Sequence, residues 1–164
     1  MTTPLPPDLV TRLCDAATAP DDIVTLEALL ACWLEDLRKP LAETEEASWA
    51  ELCVFELTDY PEHILQFIEL ALPRLSAPAE AVMLAAGPLE DVINAHGLLV
   101  IERLEALAAQ SPRLRFVLTG VEFAETADAA QSHVIERIAS LRAEAMAQGL
   151  TRGGPLPPPD PRPA

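Results

Sequence analysis

Proline and glycine divide this chain into short segments, and apolar residues recur within the segments every three or four positions. The chain contains 16 prolines and 6 glycines. Spacing by three and four places apolar side chains on one face of a helix. One such run consists of Ile23, Leu26, Leu30, Trp33, Leu34 and Leu37. Val and Ile are too scattered to form strand-like runs. The sequence therefore predicts an all-α fold, either a compact bundle or a short helical-repeat-like array, of about eight or nine helices.

Capping residues and breakers predict the helix boundaries. Asp21 or Asp22 is placed to cap the second helix, and Asp59 is placed to cap the fourth, with Glu62 closing a capping box. Gly97 is expected to end the sixth helix in the left-handed conformation. The predicted helices cover about residues 8–17, 21–38, 43–57, 60–75, 76–86, 88–96, 98–110, 112–120 and 127–148.

The two ends of the chain differ in composition from the middle. Residues 1–7 contain three prolines and are expected to be flexible. Residues 8–148 are expected to form a single helical domain. Residues 149–164 carry a proline at nearly every second position and little to bury, so we expect a disordered or polyproline-like tail. Such a tail is either a ligand for a partner or only a tail.

Acidic residues outnumber basic residues, 26 to 11, which gives a formal net charge of −15. The excess falls almost entirely within residues 1–100. Such a field repels phosphate, so neither a nucleic acid nor an anionic membrane is an expected partner, whereas a basic protein surface is. The alternative is that the charge only keeps a Leu- and Ala-rich chain soluble. The candidate acidic face, close to the aromatic residues of helices two to four, consists of Glu35, Asp36, Glu45 and Glu46.

Cysteine usage and the N-terminal residues predict a cytoplasmic location. Cys14, Cys32 and Cys53 are odd in number and none forms a C-x-x-C pair, so we expect reduced thiols on apolar helix faces. The first residues lack the basic and apolar regions of a signal peptide. Glu, Asp or Pro interrupts every apolar stretch, so no membrane span is expected.

The middle of the chain carries a run of motifs. They read Ala85-Ala86-Gly87-Pro88-Leu89-Glu90-Asp91-Val92-Ile93, His96-Gly97, Ile101-Glu102-Arg103-Leu104-Glu105, Ser111-Pro112-Arg113-Leu114-Arg115 and Thr119-Gly120-Val121. This run resembles the signature of an uncharacterised bacterial family of domains of unknown function, A-x-G-P-L-E-D-L-L, then H-G, R-x-E, D-P-R-F-R and G-G-V-W. The resemblance covers about residues 20–142 and is specific over 85–121. It implies a helical domain and no particular reaction.

This chain departs from the family signature at three places. Ser111 replaces the usual Asp, Thr119 replaces the first Gly, and Glu122-Phe123 stands where the signature has Trp. The capping and hinge residues of the signature are retained, since Ser also caps helices.

The same run offers a candidate site. Gly87-Pro88 is predicted to break the chain and to start a short helix with acids in its first turn. Arginines at the start of a later helix would pair with these acids if the two helix starts met. The run is therefore either a structural corner or a recognition site. The candidate residues are Glu90, Asp91, Asn94, His96, Arg113 and Arg115.

Sequence motifs for catalysis are absent. There is no G-x-S-x-G elbow, no Walker loop and no G-x-G-x-x-G. His63, His96 and His133 are not paired with each other or with cysteines at ligand spacing. We therefore assign no catalytic residue, expect no metal or cofactor, and favour a protein that is not an enzyme.

The leading hypothesis is a non-enzymatic interaction module, of the immunity, inhibitor or adaptor type, that binds a basic protein surface. One alternative is a small enzyme or ligand-binding domain whose site lies between Gly87 and Arg115. The other is a structural subunit that pairs with a copy of itself.

Overall fold

The structure, a computed structural model, describes residues 2–16, 24–40, 47–123 and 128–160. Within these ranges the chain forms eight α-helices and no β-strand, so the predicted all-α fold is confirmed. The helices are α1 (Pro7–Ala16), α2 (Leu26–Arg38), α3 (Trp49–Leu57), α4 (Pro61–Ala71), α5 (Pro78–Leu84), α6 (Glu90–Gln110), α7 (Pro112–Leu118) and α8 (Ala129–Ala147). Their apolar faces meet in one core, in which Trp33 packs edge-on against Phe67.

The N-terminal residues pair with the segment that precedes α2. The N–H of Leu5 donates to the carbonyl of Val24 (2.9 Å), and the N–H of Leu26 donates to the carbonyl of Thr3 (2.8 Å). Leu5 itself is buried in the core. The described residues of the N-terminal segment therefore lie on the domain, which differs from the flexible end predicted for residues 1–7.

This pairing moves the start of α2 along the chain. Thr25 remains extended and caps α2, because its side chain accepts a hydrogen bond from the N–H of Ala28. The cap of α2 is therefore Thr25, and Asp21 and Asp22, the predicted caps, lie outside the described residues.

The helices α3 and α4 also begin differently from the prediction. Ser48 forms a capping box with Glu51, so α3 begins at Trp49 rather than near residue 43. The helix α4 has the predicted proline in its first turn but no side-chain cap. Asp59 lies instead in the turn that closes α3, where its N–H donates to the carbonyl of Glu56 (3.2 Å). The predicted cap at Asp59 is wrong.

One helical stretch runs from Pro78 to Gln110 and joins α5 to α6. Its middle, Ala85–Leu89, is a π-helical turn in which the N–H of Glu90 reaches back five residues to the carbonyl of Ala85. The wider turn accommodates Pro88, which has no N–H to donate. The predicted break at Gly87-Pro88 is therefore wrong.

The helix α6 bends at His96, whose φ of −135° and ψ of 24° leave the helical region. Gly97 follows but is not left-handed, since Gly149 and Gly153 are the glycines with positive φ in the described ranges. Close packing explains why position 97 is occupied by glycine, because a Cβ there would lie 2.9 Å from Cγ1 of Val134 on α8. The predicted left-handed end at Gly97 is wrong, whereas Gly149, with a φ of 80°, follows the last helix, whose predicted range ends at residue 148.

The stretch Pro78–Gln110 is long and apolar enough to cross a membrane when judged by length and composition alone. This differs from the expectation of no such segment, because the π turn joins two pieces that were predicted to be separate. The most apolar window has a mean hydropathy of 1.2 and is 44% buried within the domain. Core helices of soluble proteins pass the same test, so the stretch is weak support for a span.

The chain after α8 lies on the domain as far as residue 160. Leu150 and Leu156 pack against the core, and Pro157 is buried. This differs from the disordered tail predicted for residues 149–164, of which 161–164 lie outside the described residues. The difference arises because residues at the start of α7 bind the tail through hydrogen bonds.

Replacing Gly97 by alanine should destabilise the domain. The new methyl group would meet the stiff, β-branched Val134, so we expect a loss of about 1–3 kcal/mol in the free energy of unfolding, measured in urea. Gly87→Ala is the matched control, since nothing lies within 4 Å of its Cβ position. Val134→Ala should relieve the added cost of Gly97→Ala; equal stabilities of the two glycine variants would contradict the close approach.

A buried carboxylate joins the end of α2 to the start of α5. Glu80 is only 5% exposed. Its oxygens accept hydrogen bonds from Nε of Arg38 (2.7 Å), from the N–H of Ser76 (2.7 Å) and from the hydroxyl of Ser76 (2.9 Å). Burial alone would raise the pKa of Glu80, but these hydrogen bonds and the charge of Arg38 hold it below its usual value.

The lowered pKa of Glu80 predicts acid sensitivity. A carboxyl whose folded pKa lies below its unfolded pKa stabilises the fold above the unfolded pKa, and that contribution is lost as the pH falls through the folded pKa. Glu80→Gln should therefore lower stability at pH 7 and reduce the loss of stability that wild type shows below about pH 5. Urea unfolding across this pH range measures both effects. Arg38→Gln should reproduce part of this change in the pH dependence of stability. A Glu80→Gln variant with the same pH dependence as wild type would refute the predicted role of Glu80.

Candidate functional site

The six candidate residues of the corner do not come together. Glu90, Asp91, Asn94 and His96 lie in the first two turns of α6, whereas Arg113 and Arg115 lie on α7, beyond its other end. The 21 residues of α6 span about 30 Å at 1.5 Å per residue. Because α6 is one long helix, the two helix starts are held apart.

Arg113 is a buried structural residue. Its side chain is 4% exposed. Nη1 donates to the carbonyls of Leu72 (2.7 Å) and Leu75 (2.9 Å), and Nε donates to the carbonyl of Pro157 (2.9 Å). Burial lowers the pKa of Arg113, and the nearby charge of Asp160 opposes that effect. The guanidinium thus joins the end of α4, the start of α7 and the C-terminal segment.

Arg115 and Glu90 also bind backbone groups rather than each other. Nη1 of Arg115 donates to the carbonyl of Ala108. Oε2 of Glu90 accepts from the N–H of Glu122 (3.0 Å). The predicted pairing of the two arginines with the acids of α6 is therefore wrong.

The other candidates on α6 border a surface groove. A first cavity of about 290 Å³ lies where α6 bends against the start of α8. Its lining includes Asn94, His96, Leu98, Leu99, Phe123 and Asp128. A second cavity of about 410 Å³ lies between α6 and the end of α3. Its lining includes Phe55, Glu56, Asp59, Asp91, Asn94 and Ala95.

The two cavities are neighbours, because Asn94 and Ala95 line both. We call the two cavities and this shared wall the α6 groove. The structure therefore keeps Asp91, Asn94 and His96 at one surface and removes Arg113 and Arg115 from it.

Three exposed apolar side chains border the α6 groove. Phe55 is 64% exposed, Leu98 is 60% exposed and Leu99 is 74% exposed. Leu98 and Leu99 precede two further apolar residues, Val100 and Ile101, which are buried. A helix cannot turn four consecutive side chains to one face, and this run is the sequence signal for the exposed pair.

The aromatic character of Phe55 predicts a place among the core residues of α3, but its side chain is exposed. Helix geometry turns it away from the core, because Cys53, Val54 and Leu57 already occupy the buried face. Of the other aromatic residues in helices two to four, Trp33, Trp49 and Phe67 are buried as expected, and Tyr60 is half-buried.

Asp91 is the carboxylate of the α6 groove whose environment is most informative. It is half-buried and forms no ion pair within the described residues. Burial raises the pKa of Asp91, and the negative charge of Glu90 raises it further. A cation supplied by another molecule would offset both the loss of solvation of the Asp91 carboxylate and its repulsion from Glu90.

The basic side chains of the described residues are largely occupied within the chain. Arg12, Arg38, Lys39, Arg103, Arg137 and Arg152 bind carboxylates, and Arg113, Arg115 and Arg142 bind backbone carbonyls. Arg103, for example, reaches both Glu62 (2.7 Å) and Glu69 (2.6 Å). In the described ranges, Arg74 makes no such bond. The outward charge is therefore dominated by carboxylates.

The predicted acidic face on α2 is partly neutralised. Glu35 is exposed, whereas Asp36 binds Nζ of Lys39 (2.7 Å). Burial would raise the pKa of Asp36, but hydrogen bonds from Lys39 and Ser48 and the charge of Lys39 hold it below its usual value. Glu45 and Glu46, the other two members, lie outside the described residues.

The chemistry of the thiols and of metal binding adds no further site. Cys53 is buried, and burial, helped by the charge of Glu56, raises its pKa to about 12. Its thiol is therefore protonated at neutral pH and acts in packing. In the parts of the chain that the structure describes, no three side chains of His, Cys, Asp and Glu are grouped to hold a metal ion.

The fold and the groove define a small all-helical domain whose bent central helix carries an acidic and apolar groove. The chain belongs to a family of unknown function, DUF6869, whose family profile matches residues 37–146. The match confirms the resemblance to a domain of unknown function. It includes the whole α6 groove and excludes the C-terminal segment. No curated protein and no solved structure matches the chain.

Replacing Arg113 by methionine should strongly destabilise the domain. The substitution keeps an apolar stem but leaves the buried carbonyls without their donor, so we expect a loss of about 3 kcal/mol or more in the free energy of unfolding. Arg74→Met, an exposed arginine in the turn after α4, should change it by less than about 0.5 kcal/mol. Similar losses for both variants in chemical denaturation would show that the buried contacts are unimportant.

Proposed function

We propose that this chain is a non-enzymatic protein-interaction module, and that the α6 groove binds a partner segment carrying both basic and apolar side chains. The observation that carries the proposal is the coincidence of exposed apolar residues with a half-buried acid that forms no ion pair in the described part of the chain. Phe55, Leu98 and Leu99 border the groove, and Asp91 lies in the same lining.

The chemistry of the expected partner follows from charge. Asp59 and Asp91 form no ion pair with any described residue. Glu56 pairs with Arg12, but both side chains remain in contact with solvent. Because nearly all the basic groups of the described residues are bound within the chain, the proposal takes the complementary cation from another molecule. A helix with lysines or arginines beside leucines would place cations on the acids and apolar side chains in the cavities.

The groove also suits a partner in size. Each cavity holds at most a few side chains, and together they follow α6 from Asp91 to Leu99. That stretch is about 12 Å long, roughly two turns of a bound helix. Such a surface supports a modest, salt-dependent affinity.

The two alternatives have less support. A ligand-binding or enzymatic site between Gly87 and Arg115 would need Asp91, His96 and Arg115 to meet, but Arg115 binds the carbonyl of Ala108 instead. Self-association through the exposed apolar residues would leave the acids of two copies facing each other, which like charges disfavour.

The proposal is tested with defined peptides. An amphipathic helical peptide of lysine and leucine should bind, and analogues with scrambled sequence or with glutamate for lysine should bind at least about tenfold more weakly. Phe55→Ala and Leu99→Ala should each weaken binding about tenfold in calorimetric titration. Met146→Ala, an exposed methionine on α8 away from the groove, is the matched control and should have no effect.

Charge is tested separately. Asp59→Asn with Asp91→Asn should weaken binding and reduce its dependence on salt, whereas Glu136→Gln, an exposed acid on α8, should do neither. Equal binding of basic and acidic peptides, or binding that the groove variants leave unchanged, would refute the proposal. Dimers that dissociate on Leu99→Ala would favour the self-association alternative.

A further inference from the structure

The last described segment of the chain, Pro155–Asp160, lies across the corner between α4 and α7. It has no regular secondary structure. Leu156 packs against the core and Pro157 is buried, whereas Pro158 and Pro159 are exposed. The segment thus turns Leu156 and Pro157 towards the domain and leaves Pro158 and Pro159 in solvent.

Three polar contacts hold this segment at two of its residues, Pro157 and Asp160. Nε of Arg113 donates to the carbonyl of Pro157 (2.9 Å). The hydroxyl of Ser111 donates to the carboxylate of Asp160, and the N–H of Arg113 lies 3.5 Å from the other oxygen. The contact at Pro157 recognises a backbone carbonyl, and the contacts at Asp160 recognise a negative charge three residues later.

These contacts match the chemistry of proline-rich backbone. Proline has no N–H but keeps its carbonyl, so an extended proline segment is a row of acceptors with apolar rings between them. A fixed guanidinium donor beside an apolar surface is complementary to such a row. Arg113 is held in place independently of the segment, because its Nη1 donates to the carbonyls of Leu72 and Leu75.

The site and its occupant belong to different parts of the chain. Ser111 and Arg113 lie inside residues 37–146, the range of the family match, and Pro155–Asp160 lies outside it. Residues 148–154, which connect α8 to the segment, include both glycines with positive φ, Gly149 and Gly153. The connection is therefore rich in turns. Arg113 and the carbonyl that it binds, that of Pro157, are more than 40 residues apart in the sequence.

We propose that Ser111, Arg113 and the apolar surface under Leu156 form a recognition site for extended, proline-rich segments that carry a carboxylate. Pro155–Asp160 occupies this site as a displaceable ligand within the same chain. A tethered ligand acts at an effective concentration in the millimolar range, so the site is closed in the free chain and opens to a similar segment in trans when the tail contact is weakened. The site is separate from the α6 groove and does not depend on the function proposed for it.

The test uses the full chain and a labelled, C-terminally amidated peptide of residues 153–160. Asp160→Ala removes the charge contact of the tail but leaves the site intact. The peptide should bind this variant up to about tenfold more tightly than wild type, since loss of the charge-assisted contacts of Asp160 lowers the occupancy of the site by the tail by about that factor. Glu136→Ala makes the same charge change on the exposed face of α8 and should bind the peptide as wild type does.

A second peptide and a second readout make the result decisive. A peptide with alanine for its aspartate should bind the Asp160→Ala chain about tenfold more weakly than the native peptide. In NMR spectra of that chain, the native peptide should shift the amide signals of Ser111, Arg113 and Leu114. Equal peptide affinity for wild type, Asp160→Ala and Glu136→Ala would overturn the proposal, as would peptide binding that leaves those amide signals unchanged.

Discussion

The close approach of Gly97 to Val134 determines where the two longest helices cross. Because Gly97 has no side chain, the side chain of Val134 packs directly on the backbone of α6, so the helices meet at the bend at His96, and the first cavity opens beside the crossing. Upstream, the π turn inserts one residue into the helix, and each added residue rotates the remainder of the helix by about 100°. The orientation of Asp91 towards the end of α3 thus depends on the π turn. The position of the groove depends on both the π turn and the bend at His96.

Much of the fold could be predicted from residue spacing, because helix periodicity and helix-favouring residues are local properties. The helix ends were predicted less well. Asp21 and Asp59 are good capping residues, but neither position alone decides where a helix begins. Thr25 caps α2 because the segment before it pairs with N-terminal residues that are distant in sequence. Asp59 does not cap α4 because it lies in the turn that closes α3. Gly87-Pro88 looked like a break because proline usually ends a helix, and the π turn that accommodates it has no clear sequence signal.

The candidate site was predicted in part for a similar reason. Asp91, Asn94 and His96 share a surface because they lie within two turns of one helix, and their spacing alone indicates this. The placement of Arg113 could not be predicted, since its acceptors come from Leu72, Leu75 and Pro157. A charged residue near a helix start has the same sequence pattern whether it faces solvent or the core, and only the distant carbonyls decide between the two.

The bond from Arg113 to Pro157 also links the role of residue 113 to the length of the chain after α8. Two acceptors of the guanidinium lie within the range of the family match, but the third lies beyond its end at residue 146. A buried donor without an acceptor costs about 1–3 kcal/mol. A relative that kept this arginine but ended soon after its last helix would carry that cost or would need a water molecule or another side chain in its place. The length of the C-terminal extension and the identity of residue 113 are therefore expected to vary together among members of the family.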